Sequence, residues 1–275
     1  MADDAPPPQA ATVSRWISIL RIALPIAMLL LAVAAWWLIV WVKEIPPYIM
    51  PAPNLVARSL VNDWPTLYPA LLVTVKITFT ALALALIGGV ALAIVISQSS
   101  WIELALYPYA VILQVTPIVA IAPLILIYAP STQTALLICA FLVAFFPILS
   151  NMTQGLKSVD HNLLNLYELY GASRLQTLLL LKLPASQPYF LTGLRIGGGL
   201  ALIAAVVAEF AAGTAGEGSG LAFRLLESQY RMNLPRLFAA LIMLTGTGIA
   251  IFGLTSLISH LMLRRWHESA VTREN

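Results

Sequence analysis

Long apolar runs broken by short polar stretches set the pattern of this chain. Six apolar windows stand out, at Ile22 to Val42, Leu71 to Ser97, Leu104 to Tyr128, Thr132 to Thr153, Phe190 to Ala212 and Leu237 to Leu263. Each is long enough to cross a hydrocarbon core about 30 Å thick, which takes about 20 helical residues. Backbone amides and carbonyls in lipid must be satisfied within the segment, so runs of this length predict helices; spanning strands would be only about 10 residues long. The pattern predicts an all-α polytopic membrane protein with six transmembrane helices in one domain.

The first window has a rival reading as a signal peptide, because Ala32-Val33-Ala34 follows a short apolar region headed by Arg15 and Arg21. Hydrophobicity continues through Trp36, Trp37, Leu38, Ile39, Val40, Trp41 and Val42 to full spanning length, and the tryptophans suit a membrane interface. A retained helix is therefore expected. Residues 1–15 form an acidic, proline-rich tail at their start and are expected to be disordered. The membrane domain would run over 16–265, with a polar loop at about 155–189 and a tail at 266–275.

Composition agrees with this class: 60% hydrophobic and 10% charged residues, with a mean hydropathy of +0.88, exclude an ordinary water-soluble fold. The net charge of +3 comes from residues spread over loop ends, with no basic stripe, so it reads as membrane topology and not as nucleic-acid binding. Arg15, Arg21, Lys157, Arg174, Lys182, Arg195, Arg264, Arg265 and Arg273 fall on the side of the termini and the polar loop. Lys43, Arg58, Arg224, Arg231 and Arg236 fall on the other. The excess places both termini and the polar loop in the cytoplasm. Lys76 lies inside the second window, where its stem could snorkel to the interface.

Catalytic signatures are missing. Cys139 is the single cysteine and reads as a packing residue, and His161, His260 and His267 have no metal-ligand spacing. Gly155-Leu-Lys157-Ser158 lacks the glycine directly before lysine that a phosphate-cradling loop needs. The segment from Gly216 to Gly220 has its glycines misplaced for a nucleophile elbow and reads as an external loop. Neither an enzyme nor a chain that hydrolyses nucleotide itself is expected.

The polar island from Asp160 to Pro184 is where a soluble partner would dock. Asp160 is placed as the N-cap of a short helix over Asn162 to Tyr170, whose Leu163, Leu166, Tyr167 and Tyr170 share one face. Gly171 permits the positive φ that stops a helix sharply, and Ser173 can cap the next one. The result is a helical elbow projecting into water; a plain spacer between two spans is the alternative.

The same residues resemble the cytoplasmic loop of ATP-binding-cassette (ABC) importer permeases, the binding-protein-dependent inner-membrane component family. Its signature is Glu-Ala-Ala, three residues, Gly, nine residues, then Ile-x-Leu-Pro. Here Asn165-Leu166-Tyr167, Gly171 and Leu181-Lys182-Leu183-Pro184 keep the glycine, the Leu-Pro pair and the spacing, while the Glu-Ala-Ala triplet is replaced and Glu168 stands three residues on. Gly171-Ala172-Ser173-Arg174, Leu191 to Arg195, Ala208-Glu209 and Ser219-Gly220-Leu221 add to the resemblance, which runs from the second window to the C terminus. It implies a type I importer permease of MetI-like architecture in a bacterial inner membrane. Also implied are a second permease copy as a homodimer, two ATPase subunits that bind the ATP and Mg, and a periplasmic or lipid-anchored solute-binding protein. No cofactor is expected on this chain. The branch it looks most like handles nitrate, sulfonates, taurine, bicarbonate or vitamin precursors. The resemblance implies ATPase coupling through Asp160, Leu163, Asn165, Leu166, Tyr167, Tyr170, Gly171, Ala172, Ser173, Leu183 and Pro184.

The solute path is sought first in the third window, where Pro108, Pro117 and Pro123 fall within one expected helix. Proline frees carbonyls that need partners at membrane depth, which makes Gln114 and Thr116 beside Pro117 candidate pathway groups; a kinked packing helix explains the prolines equally well. Glu209, an acidic group in an apolar stretch, is the fourth candidate pathway residue, as a gate or structural partner that either faces the cavity or pairs near an interface. Gly197, Ala201 and Ala205 recur every four residues and fit either a subunit interface or packing within one chain. Leu221, Leu225 and Tyr230, interleaved with Glu217, Arg224, Glu227 and Arg231, predict an external amphipathic helix that either receives the solute-binding protein or simply pairs its charges in solvent. A stand-alone secondary transporter is the competing function, but it would call for an ion site and paired interrupted helices in two repeats, and no internal repeat is visible.

Overall fold

A computed structural model describes residues 8–213 and 218–264, with side chains from residue 20 onward except that of Ile22. Among the described residues the chain is helical throughout: α1 (Pro8–Val42), α2 (Pro53–Asn62), α3 (Trp64–Ile96), α4 (Ser100–Val115), α5 (Ile118–Tyr128), α6 (Thr132–Lys157), α7 (His161–Leu169), α8 (Arg174–Thr177), a π-turn at Leu178–Lys182, α9 (Leu183–Ala212), α10 (Leu221–Tyr230) and α11 (Leu234–Leu263). Among the described residues five segments are long and apolar enough to span a membrane: Ala23–Val42, Trp64–Ile96, Thr132–Lys157, Arg174–Ala212 and Leu234–Leu263. The sixth expected span is different. Its window divides into α4 and α5, which meet at an angle of 99°.

Thr116 and Pro117 make that break. Proline disfavours helical backbone in the residue before it, and Thr116 is extended at φ −71°, ψ 121°. The amide and hydroxyl of Thr116 both donate to the carbonyl of Ile112, at 3.1 and 2.7 Å, so the end of α4 is satisfied without another turn. Pro108 and Pro123 lie inside α4 and α5 without ending them.

α1 is described from Pro8 onward, where Ala10 and Ala11 favour the helix. Residues 1–7 and the tail 266–275 lie outside the described residues. α1 stands at the margin of the bundle, where Trp36 packs on Phe238 of α11 with ring centroids 5.6 Å apart and Leu29, Leu30 and Leu31 remain exposed. Exposed leucines on a spanning helix are what contact with lipid requires.

The core is α3, α6, α9 and α11, and its closest contact is α6 on α9. Small residues allow it. A Cβ on Gly197 would lie 3.1 Å from Ile148 Cδ1 and 3.2 Å from the carbonyl of Ala144. Ala201 is fully buried beside Ala144 and Ile148, and Ala205 beside Cys139 and Ala140. The four-residue stripe therefore serves packing within one chain, and Cys139 is the packing residue its setting suggested. At the other end of this contact a Cβ on Gly155 would meet Tyr189 Cβ at 2.8 Å and Ser186 Cβ at 2.9 Å. Gly155→Val is expected to cost about 1–3 kcal/mol of overpacking strain and lower the thermal midpoint in detergent. Gly199→Ala, with nothing within 4 Å, is the control and should hold or raise the midpoint, since alanine favours the helix over glycine by about 0.5–1 kcal/mol.

Candidate functional site: the elbow, the broken span and the Glu209 clasp

The elbow forms as its local chemistry dictates. Asp160 Oδ1 accepts from the amide of Asn162 at 2.8 Å and caps α7. At the other end Gly171 has φ +68°; its amide donates to the carbonyl of Glu168 at 3.0 Å, and the amide of Ala172 donates to that of Tyr167 at 2.9 Å. This is a Schellman termination, which needs the left-handed conformation that glycine adopts without strain. Ser173 then starts α8 with a reciprocal cap: its Oγ accepts from the amide of Gln176 at 3.2 Å, and its own amide donates to Gln176 Oε1 at 2.7 Å.

Leu183 and Pro184 do not end the elbow. They open α9 directly after the π-turn, and the helix runs on from Arg174 to Ala212. A proline inside a helix clashes with the carbonyl four residues back, here Leu180, and the wider π-turn spans that residue. Lys157 at the foot of α6 is ion-paired with Glu103 of α4, which ties the elbow's base to the neighbouring helix.

Exposure defines the elbow's outer face. Leu163 and Leu166 are each 45% exposed and Tyr170 82%, whereas Tyr167 is half-buried. Asp160, Asn165, Ser173 and Pro184 are exposed, and Ala172 and Leu183 are half-buried. Leu169, at 83%, belongs to the same apolar surface and was missed in the sequence, although its position three residues after Leu166 was the available signal. Behind the elbow a cavity of about 370 Å³ separates it from the bundle, lined by Ser97, Gln98, Glu168, Arg174 and Lys182.

Gln114, Thr116 and Pro117 come together. They line a cavity of about 340 Å³ at the α4–α5 break, closed by Ile121, Leu142 and Pro147. Glu209 is not part of it. That side chain is 2% exposed and accepts from Thr74 Oγ1 at 2.7 Å and from the amide of Ala222 at 2.9 Å; Thr74 in turn accepts from the amide of Leu221 at 2.8 Å. The carboxylate therefore caps the start of α10 and binds it to α3 and α9, a structural clasp. Gly220 is required for space: a Cβ there would stand 2.0 Å from Glu209 Oε1.

α10 is the amphipathic helix expected at this end, with Leu221 buried and Tyr230 exposed. Its charges pair among themselves, Glu227 taking Arg224 at 2.9 Å and Arg231 at 3.0 Å. The hydrogen bond from Arg224 holds the Glu227 carboxyl below its ordinary range. Glu217 lies outside the described residues. Among the described residues no group of three His, Cys, Asp or Glu is placed to hold a metal ion.

Residues 85–264, from the middle of α3 to the end of α11, match the family model described as the binding-protein-dependent transport system inner membrane component. The chain belongs to this family. It is thus the membrane permease subunit of an ABC importer for a small polar solute, working with a separate ATPase, and not itself an ATPase. Such a permease resides in the inner membrane as a multi-pass helical bundle. It is 32% identical over 258 residues to the riboflavin transport system permease protein of Chloroflexus aurantiacus, covering 90% of this chain and 91% of that one. It is 31% identical over 218 residues to the formylaminopyrimidine transport permease protein of Halalkalibacterium halodurans, covering 79% and 86%. In fold it is similar to a solved amino acid ABC transporter with histidines, at a TM-score of 0.61 and 19% identity over 75% of this permease and 97% of that chain.

Proposed function

We propose that the outer face of α7 is where the permease grips its ATPase, so that closure of the nucleotide-bound ATPase pair rocks the helices between inward- and outward-facing states. One observation carries this reading: a short helix capped at both ends presents Leu163, Leu166, Leu169 and Tyr170 to water beyond the spans. Apolar side chains held rigid in an aqueous compartment favour a partner surface. Asp160, Gly171, Ala172 and Ser173 fix the elbow's shape, Asn165 and Tyr167 extend its contact, and Leu183-Pro184 join it to α9. ATP shifts the permease only through contacts that differ between the two states, and the elbow is the element placed to make them.

The rest of the assembly follows from this reading. Two ATPase subunits, carrying ATP and Mg, sit on the elbow side with both termini of the permease in the cytoplasm. A second copy of this chain completes a homodimer, and a periplasmic or lipid-anchored solute-binding protein docks at the α10 end. The cavity at Gln114, Thr116 and Pro117 belongs to the solute path. The solute falls in the nitrate, sulfonate, taurine, bicarbonate or vitamin-precursor class.

The test is co-purification of the permease with its ABC ATPase subunits. Leu166→Ala with Tyr170→Ala is expected to cut ATPase recovery at least tenfold, the effect of losing two interface side chains worth about 1 kcal/mol or more each, while membrane insertion persists. Full recovery with that double variant would remove the elbow from the interface. Solute uptake by the lone chain in ATP-free vesicles would favour a secondary transporter.

A further inference from the structure

Lys76 is the one charged residue in the apolar run from Leu71 to Ile96. An ammonium on a spanning helix is costly against lipid and is retained where it meets water, a counter-charge or a ligand. Among the described residues no carboxylate lies within ion-pair distance of it, as the ion pairs at Glu103, Glu227 and Asp63 involve other cations. Glu209 is engaged by Thr74, two residues away and so on the opposite face of α3, where it is buried while Lys76 is exposed.

The Lys76 side of α3 opens onto a cavity of about 290 Å³, shared with Thr80 and with Ser131, Gln133 and Thr134 at the start of α6. α6 is 26 residues long, so this cavity lies about 39 Å along the bundle from the elbow, at the opposite mouth. Its polar groups divide into two kinds. The hydroxyl of Thr80 donates to the carbonyl of Lys76, and those of Ser131 and Thr134 bond each other at 2.9 Å. The ammonium of Lys76 and the amide of Gln133 make no hydrogen bond among the described residues, which leaves two uncommitted donors on one cavity. Val73, Ile77 and Leu137 complete the wall.

We propose that this cavity is an anion-binding vestibule: the Lys76 ammonium, seconded by the Gln133 amide, receives the carboxylate, sulfonate or oxyanion group of the incoming solute. The inference rests on the permease reading and narrows it, from a small polar solute to one bearing a negative group.

Charge-selective labelling tests it without a known solute. Thr134→Cys is placed in the full-length permease, assembled with its ATPase in liposomes containing phosphatidylcholine and phosphatidylglycerol. Cys139 is fully buried, so the parent chain serves as the blank. The rates of modification by the anionic sulfonatoethyl and the cationic trimethylammonium-ethyl methanethiosulfonates are compared from the mass of the permease chain. The anionic-to-cationic rate ratio is expected to fall about tenfold with Lys76→Gln and to persist with Lys76→Arg, the scale on which a charged cleft concentrates its counter-ion. Thr80→Cys is a second reporter and Lys76→Met a second charge-free variant should either first choice fail to assemble. An unchanged ratio would place the ammonium among the headgroups and overturn the proposal. So would a preference seen in detergent but lost with phosphatidylglycerol present, since a lipid phosphate would then be the occupant. Neither result bears on ATPase co-purification, which tests the permease reading separately.

Discussion

Valine in place of Gly171 is expected to lower solute-stimulated ATP turnover at least tenfold while leaving insertion into the membrane intact. Nothing lies within 4 Å of a Cβ at this position, so steric clash plays no part. The cost is in the backbone. At φ +68° an L-residue pays about 1–2 kcal/mol, and a β-branched one more. Relief of that strain would break the two backbone hydrogen bonds that turn the chain from α7 into α8. A penalty of about 1.4 kcal/mol is a factor of ten in the population of the competent elbow. Gly171→Asn, which tolerates this conformation, should retain most of the activity. The measurement is ATP hydrolysis by the reconstituted assembly with loaded binding protein; parent-like turnover of the valine variant would separate the elbow from coupling.

Loss of the Glu209 carboxylate is expected to be the most destabilising single change in the bundle. Glu209→Ala removes the acceptor of the Ala222 amide and the Thr74 hydroxyl and leaves a void where α3, α9 and α10 meet. At about 1–3 kcal/mol for each buried group left without a partner, the total is about 2–4 kcal/mol, since Thr74 can turn toward the carbonyl of Ala70. Gly220→Ala should destabilise comparably by displacing the same carboxylate. Glu103→Ala breaks only a partly exposed pair with Lys157 and should change the thermal midpoint little. A Glu209→Ala protein as stable as the parent but inactive in transport would mean that the carboxylate acts on solute.

The elbow was legible in the sequence because caps and terminations act within a few residues: Asp160, Gly171 and Ser173 each do what their side chain or backbone freedom permits nearby. The spans were legible for the same reason, as hydropathy over about 20 residues reports on the surrounding medium. The abrupt turn at Thr116 was not, because Pro108, Pro117 and Pro123 look alike in sequence and only one of them ends a helix. The role of Glu209 was half legible. Its cost in an apolar stretch announced a partner, but Thr74 lies 135 residues away and Ala222 belongs to another helix. The same limit applies to Gly197, Ala201 and Ala205, whose spacing shows that something approaches closely while only the fold shows that it is α6.

The 39-residue helical segment from Arg174 to Ala212 reaches from the elbow to the Glu209 clasp, a length of about 58 Å. Pivoted at its middle, a strut of that length swings each tip about 5 Å for a tilt of roughly 10°, in opposite directions. A tilt that displaces the elbow is therefore felt at α10 as well, with the wider winding at Leu178–Lys182 lying between the two.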